Sequence, residues 1–272
     1  MQVVEAKGAK IPAVGLGTWQ ISGRTGQRVI EQALRLGYRH IDTAQAYENE
    51  RDVGEALRAS GVKRNDVWVT TKVWHTHLAP HDLERSVKDS LMRLRLSEVD
   101  LLLVHWPNPH VPLAETMGAM AKMKSVGYTR NIGVSNFTVA LLDEAVRVTS
   151  EPIVTNQIEW HPYLDQSKVT AACKRHGISV TAYSPIARGR TVGDDVLARI
   201  GKAHGKTEGQ VSLRWLVQQG AIVIPRTSRV ERLSENMDIF DFALTPQEMD
   251  EIRGLAHPGG RVVEASFAPK WD

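Results

Sequence analysis

Cysteine is nearly missing from this chain. Cys173 is the only one in 272 residues, so no intramolecular disulfide can form, and the expected setting is a reducing cytoplasm. Long apolar runs are missing too. No stretch approaches the ~18 apolar residues that a membrane-spanning helix needs, so no membrane partner is expected. The stretch Met1–Lys10 has no apolar core of the kind a secretion signal carries. In that setting the sequon Asn136-Phe137-Thr138 reads as coincidence. Lysine and arginine are interspersed with acids, giving a net charge of only +3. Without a basic block, nucleic acid is not an expected partner. The dinucleotide fingerprint G-x-G-x-x-G is absent as well. Gly15-Leu16-Gly17-Thr18-Trp19-Gln20 supplies only its first two glycines, which argues against an open doubly wound sheet. His75, His77 and His81 cluster locally, but no matching Cys, Asp or Glu set accompanies them, so no metal site is expected.

What is present is an alternation. Eight short runs rich in Val, Ile and Leu read as strands: Val14–Thr18, Arg39–Thr43, Val67–Lys72, Asp100–His105, Asn131–Ser135, Val154–Gln157, Ser179–Tyr183 and Ile222–Pro225. Helical periodicity fills the intervals. Leu83, Val87, Leu91 and Leu94 share one face of His81–Arg95. Thr207 with Gln210 reads as a capping box, with Gly220 closing that helix. Thr245, Pro246 and Glu248 mark the start of a late helix, and Asn49 is placed to cap one that buries Val53, Ala56 and Leu57. Met117, Met120 and Met123 read as packing, and Cys173 as a small buried side chain. Eight βα units predict one closed (β/α)8 barrel, a single domain over residues 1–272. The preceding residues, Met1 to Ile11 with Gly8 central, are expected to form a hairpin plugging the bottom of that barrel.

In such a barrel, chemistry collects at the C-terminal ends of the strands. Those ends bring up Asp42, then Tyr47, Lys72 and His105. Singly, Asp42 and Lys72 read as a structural ion pair and His105 as a core histidine. On successive strand ends they form a set suited to reducing a C=O bond. A phenol is a weak acid, with a pKa of about 10. A neighbouring ammonium stabilises its phenolate, so Lys72 is expected to lower the Tyr47 pKa, with Asp42 holding Lys72 and His105 orienting a carbonyl. Trp19, Trp74 and Trp106 follow strand ends closely and are expected to wall a substrate pocket. His110 and His161 lie in similar loops as further candidates.

The motifs around these residues resemble those of the aldo-keto reductases. The segments are Gly15-Leu16-Gly17-Thr18, His40-Ile41-Asp42-Thr43-Ala44 with Tyr47-Glu48-Asn49-Glu50, Thr71-Lys72-Val73-Trp74 and Leu103-Val104-His105-Trp106-Pro107. Asn131–Phe137, Asn156-Gln157-Ile158-Glu159, Ala182-Tyr183-Ser184-Pro185 and Ile224-Pro225-Arg226-Thr227-Ser228 follow in order, so the resemblance covers nearly the whole chain. Within the family the chain is most similar to bacterial 2,5-diketo-D-gluconate reductases of the shorter B type, which also reduce methylglyoxal. The ending Phe267–Asp272 shares in that similarity.

The resemblance implies Asp42, Tyr47, Lys72 and His105 as catalytic tetrad, NADPH as cofactor without a Rossmann domain, a small carbonyl substrate and a monomer. It implies Ser135, Asn136 and Gln157 on the nicotinamide carboxamide, and Tyr183 stacked on its ring. Gly17, Thr18, Trp19 and Asp42 belong to the same cofactor set. Ser184, Pro185, Ile186, Arg188 and Gly189 would follow the pyrophosphate. Ile224, Pro225, Arg226, Thr227, Ser228 and Arg232 would also bind the cofactor, with Arg226, Ser228 and Arg232 as candidates for the 2′-phosphate and Glu235 and Asn236 facing the adenine. Arg226 stands where the family usually has Lys, which retains the charge. The loop after Tyr183 is short, with helical pattern from about Gly193, so a pocket with little apolar wall, open to small polar carbonyls, is expected. From the residues alone two other readings stay open: a barrel enzyme of another class with a Glu or Lys base, and a cofactor-binding regulatory subunit without turnover.

Overall fold

Alternation of the two chain periodicities produces a cylinder. The computed structural model describes residues 2–272, so Met1 of the expected hairpin lies outside the described residues. A hairpin comes first: β1 (Val3–Ala6) pairs antiparallel with β2 (Ala9–Pro12). Lys7 and Gly8 turn it, both at positive φ (49° and 86°), the two-residue geometry whose twist matches that of flanking strands. Eight parallel strands follow: β3 (Leu16–Gly17), β4 (His40–Asp42), β5 (Trp68–Val73), β6 (Val99–Val104), β7 (Thr129–Ser135), β8 (Ile153–Glu159), β9 (Ser179–Tyr183) and β10 (Ile222–Val223). Each pairs with its neighbour in sequence, from β3 at one edge to β10 at the other.

The two edges meet. The Gly15 N–H donates to the Val223 carbonyl at 2.8 Å, Val223 N–H to Ala13 at 2.9 Å, and Gly17 N–H to Pro225 at 3.2 Å. Isolated parallel bridges join Val14 to Val223 and Gly17 to Arg226. The expected strands Val14–Thr18 and Ile222–Pro225 are therefore each shortened to two regular residues. Closure runs through single bonds rather than a full ladder, because Pro225 has no N–H to extend one. Glycine is required at position 17. A Cβ there would lie 2.7 Å from the Ile224 carbonyl oxygen.

Burial follows the barrel logic. All of β6 is buried, yet its side chains go two ways. Leu101 and Leu103 join Val154 and Ile222 inside the cylinder, where Ala9 and Ile11 of the hairpin pack against them. Leu102 and Val104 face the outer layer. The hairpin thus closes the end at which the strands begin, as expected. The outer helices are α1 (Gly23–Arg35), α2 (Glu50–Ala59), α3 (Pro80–Leu94), α4 (Leu113–Ser125), α5 (Val139–Val148), α6 (Ser167–His176), α7 (Asp195–His204), α8 (Glu208–Gln218), α9 (Glu231–Met237) and α10 (Pro246–Arg253). The expected capping box is present at the start of α8, and α10 starts at the expected Thr245, whose side chain forms a second box with Glu248. Met117, Met120 and Met123 are fully buried, and burial pushes the Cys173 thiol up to about 12, leaving it inert.

Asn49 departs from expectation. It occupies the N-cap position of α2, but its side chain caps nothing. Its amide instead donates to the carbonyls of Thr18 (2.7 Å) and Ile21 (2.8 Å), while its oxygen accepts from the Thr43 hydroxyl (2.7 Å). It ties the loop after β3 to the end of β4. Asn49→Ala strands these buried partners, at about 1–3 kcal/mol for each group left unsatisfied. Thermal unfolding should show Tm lowered by several degrees, at about 2–4 °C per kcal/mol for a domain of this size. An unchanged Tm would show that water replaces the amide at no cost.

Candidate active site

The strands end together at one rim, and a cavity of about 920 Å³ opens there. Asp42 is the last residue of β4, Lys72 lies in β5, and His105 directly follows β6. Tyr47 closes a single 3₁₀ turn, Gln45–Tyr47, after which Glu48 at φ 56° redirects the chain into α2. Lys72 is completely buried beneath Tyr47, and its ammonium spends all three protons. It donates to Asp42 Oδ1 (2.5 Å), the Thr43 carbonyl (2.8 Å) and Tyr47 Oη (3.3 Å). The other Asp42 oxygen accepts from Gln157 Nε2 at 2.7 Å. Because Lys72 donates to Oη, the phenol's own hydrogen stays available for another acceptor.

Electrostatics at this floor sharpen the expectation for Tyr47 and partly reverse it. Burial raises the Tyr47 phenol above its ordinary pKa. Lys72 pulls it down, but not enough to win, and Asp42 adds to the rise. Tyr47 is therefore held protonated rather than pre-activated. Burial alone would lower Lys72, but Asp42 and Tyr47 outweigh it and hold the ammonium above its ordinary range. His105 is pushed well below the usual imidazole value by burial first, then by Lys72 and His75. It is a neutral ring, packed edge-on to Tyr47 with centroids 5.6 Å apart, and its Nδ1 has no partner. A neutral imidazole still offers one N–H to a carbonyl oxygen.

Around this floor the cavity divides into two ends. Trp19, Trp74 and Trp106 all line it, together with Gly17, Thr18, Asn136, Gln157 and Tyr183. The Tyr183 hydroxyl donates to Asn136 Oδ1 (2.8 Å), and the Asn136 amide donates to the His105 carbonyl (3.0 Å). At the outer end lie Ser184, Pro185, Ile186, Arg188, Gly189, Ile224, Arg226, Thr227, Ser228 and Arg232. Ser184, Ala187 and Arg188 all have positive φ (49°, 47° and 54°), an uncommon conformation for residues with side chains. Such backbone collects at ligand-binding loops. Among the described residues, none of Arg188, Arg226, Arg229 and Arg232 has a carboxylate within ion-pair distance, although other arginines do. Arg188 lies over the Trp19 ring at 4.6 Å, and Arg226 donates to the carbonyls of Trp19 and Gln20 at 3.1 Å each.

Some expected contacts do not line the cavity. Ser135 sits behind the wall, its hydroxyl donating to the Gln157 carbonyl at 2.8 Å. Pro225 is buried and uses its carbonyl in barrel closure. Glu235 faces Thr207, accepting its hydroxyl at 3.0 Å, and Asn236 is buried within α9. His110 is exposed outside the cavity, while His161 is fully buried on Glu159. The expectation of little apolar wall is overturned. The loop after Tyr183 is short, with α7 starting at Asp195, but the C-terminal tail supplies the missing wall. Val263, Glu264, Ala265 and Phe267 line the cavity. Phe267 stacks on His75 (4.1 Å) and meets Trp74 (5.4 Å) and Trp106 (5.5 Å) edge-on. Arg229 and these tail residues escaped the sequence reading because they lie in irregular segments, where no periodicity assigns a face. Only the aromatic character of Phe267 signalled it.

A barrel with a buried Lys–Asp pair under a rim tyrosine is the fold and site of the aldo-keto reductases. The chain belongs to that family: the Aldo/keto reductase family matches residues 13–257. It is an oxidoreductase acting on carbonyl groups with a nicotinamide cofactor. It is similar to the methylglyoxal reductase DkgB of Escherichia coli O157:H7, at 42% identity over 96% of this chain and 99% of that one. Among solved structures, one assigned provisionally as a 2,5-diketo-D-gluconic acid reductase B superposes with TM-score 0.98 at 50% identity, covering 100% of this chain and 98% of that one. The aldose reductase of Schistosoma japonicum matches with TM-score 0.91 at 31% identity, over 95% and 94% of the two chains.

A neutral His105 carries a pH signature. An unshifted imidazole titrates near 6.5 and would switch its charge between pH 6 and 8. With its pKa lowered well below that, His105 stays neutral throughout this window, so kcat/KM should be level from about pH 6 to 8. A rate limb centred near 6.5 that vanishes in His105→Asn would contradict the assignment.

Proposed function

We propose that this chain reduces small aldehydes and ketones, such as methylglyoxal or 2,5-diketo-D-gluconate, with NADPH, and that Tyr47 is the proton donor. The observation that carries this reading is the Lys72 donation to Tyr47 Oη at the cavity floor, which leaves the phenol O–H free to donate. The residues present fit the cofactor. Four unpaired guanidinium groups stand at the outer end, matching pyrophosphate and 2′-phosphate charge. Tyr183 offers a ring face at the inner end. When bound, the nicotinamide supplies hydride to the carbonyl carbon.

The chain's own residues handle the oxygen. Tyr47 and His105 hold it by two neutral donors. As negative charge builds there, Tyr47 gives up its proton. The developing alkoxide is far more basic than a phenolate, so a phenol that is not pre-activated can still be the acid. Lys72 then stabilises the phenolate it faces, and Asp42 keeps the ammonium charged and in place. The aromatic wall of Trp74, Trp106 and Phe267 excludes water. All of these groups come from one chain, which is compatible with work as a monomer, and a single buried thiol suits the cytoplasm.

NADPH oxidation across a panel of methylglyoxal, 2,5-diketo-D-gluconate and aromatic aldehydes tests the reading. Turnover on at least the small dicarbonyls is expected. Tyr47→Phe should lower kcat by roughly 10²–10⁴-fold, while NADPH still quenches tryptophan fluorescence. Near-normal turnover in that variant would sink the role of Tyr47. Arg232→Ala and Arg226→Ala should each weaken NADPH binding by roughly 10-fold to 100-fold, the value of a charged hydrogen bond, with NADH affected much less. Equal losses for both cofactors would contradict 2′-phosphate reading.

A further inference from the structure

Glu159 is an expensive residue with no part in the chemistry described above. It ends β8 on the cavity rim, and its carboxylate is fully buried, yet it does not line the cavity. A buried carboxylate is tolerated only when donors surround it. Here one oxygen accepts the Val262 N–H (2.6 Å) and His161 Nε2 (2.9 Å). The other accepts the Val263 N–H (3.0 Å), with an Arg261 guanidinium nitrogen at 3.8 Å. Arg261 in turn lies over the Trp271 ring at 3.8 Å.

These donors belong mostly to one segment. Residues 261–272 contain no helix or strand. Among the described residues, the backbone of this tail is hydrogen-bonded to the rest of the chain only through Glu159. Its one backbone–backbone bond, Ala268 to Ala265, is internal. The Asp272 side chain adds a separate tie, accepting the Val139 N–H at 3.0 Å at the start of α5. From the gripped Val263 onward the tail walls the cavity, with Glu264, Ala265 and, at the aromatic junction, Phe267.

We infer that Glu159 is a positioning residue for the substrate end of the site. It clamps the tail at Val262 and Val263, and so sets Phe267 against Trp74 and Trp106. The tail is irregular, and without the clamp its own backbone offers no alternative registration on the barrel. Glu159 therefore acts on the carbonyl substrate through Phe267, while the arginine-lined outer end, on the loops after β9 and β10, donates no hydrogen bond to its carboxylate among the described residues. This rests on the proposed carbonyl-reductase reading for its substrate, but not for the clamp itself.

Glu159→Gln keeps the volume but replaces one acceptor oxygen with an NH2 that faces an N–H donor. Two arms test the inference. Amide hydrogen exchange of the whole protein should show faster exchange at Val262 and Val263 in the variant, with the barrel strands unchanged. This arm needs no turnover, so it separates failure of the clamp from failure of the proposed activity. In steady-state assays with methylglyoxal, KM should rise by roughly 10-fold with a smaller change in kcat, as for loss of substrate binding, and the NADPH Kd should stay within about twofold. Phe267→Ala should show the same KM rise, and the double variant should be no worse than Phe267→Ala, because the two residues form one unit. Additive effects in the double variant would overturn the inference. So would an unchanged KM, unchanged exchange at Val262 and Val263, or an NADPH Kd that moves by the same factor as KM.

Discussion

An ammonium with no contact to water sits at the centre of this molecule. Lys72 is wholly buried, and removing one partner from such a pair costs about 3–5 kcal/mol. Its position is tolerable because Asp42, the Thr43 carbonyl and Tyr47 take its three protons. Every other feature of the floor is arranged around that constraint. Asp42 is held by Gln157 from the far side of the barrel, and Tyr183, Asn136 and the His105 carbonyl form a second chain of bonds beside it. The polar interior thus ties β4, β5, β6, β7, β8 and β9 together at the end where chemistry occurs. The opposite end is sealed by the apolar hairpin.

The same constraint sets the acid–base character of the site. Burial works against charge on both Tyr47 and His105, and the lysine below cannot fully offset it for the phenol. Both groups therefore face the cavity in their neutral forms. Such a floor favours a reaction in which charge appears on the substrate oxygen only as the bond changes occur. That is the differential stabilisation a catalyst needs.

The two ends of the cavity solve different problems. The outer end carries arginines with no carboxylate partner among the described residues, beside a loop in which Ser184, Ala187 and Arg188 are left-handed, which suits a polyanion. The inner end is aromatic, and its last wall comes from a tail with no secondary structure of its own. Strand ends fix Asp42, Lys72 and His105, whereas the aromatic wall depends on an irregular segment, so the two can vary separately.

Much of this was legible in the amino-acid order. Strand–helix alternation announced the barrel, and Gly8 marked the hairpin turn. Asp42, Tyr47, Lys72 and His105 were found because barrel chemistry gathers at strand ends, a rule that converts sequence position into spatial proximity. Periodicity and capping depend on neighbours within a few residues, so the chain determined these by itself. Tertiary structure alone decided the rest. Asn49 could not be read as a loop tie because its partners, Thr18 and Ile21, are about a barrel unit away. Glu235 and Asn236 turned from the cavity because contacts far along the chain place helix α9, and Phe267 entered it because distant contacts direct the irregular tail. The acidity of Tyr47 is the clearest case. Its neighbour Lys72 was visible in the sequence, but the burial that outweighs that neighbour is a property of the packed molecule, and no local pattern carries it.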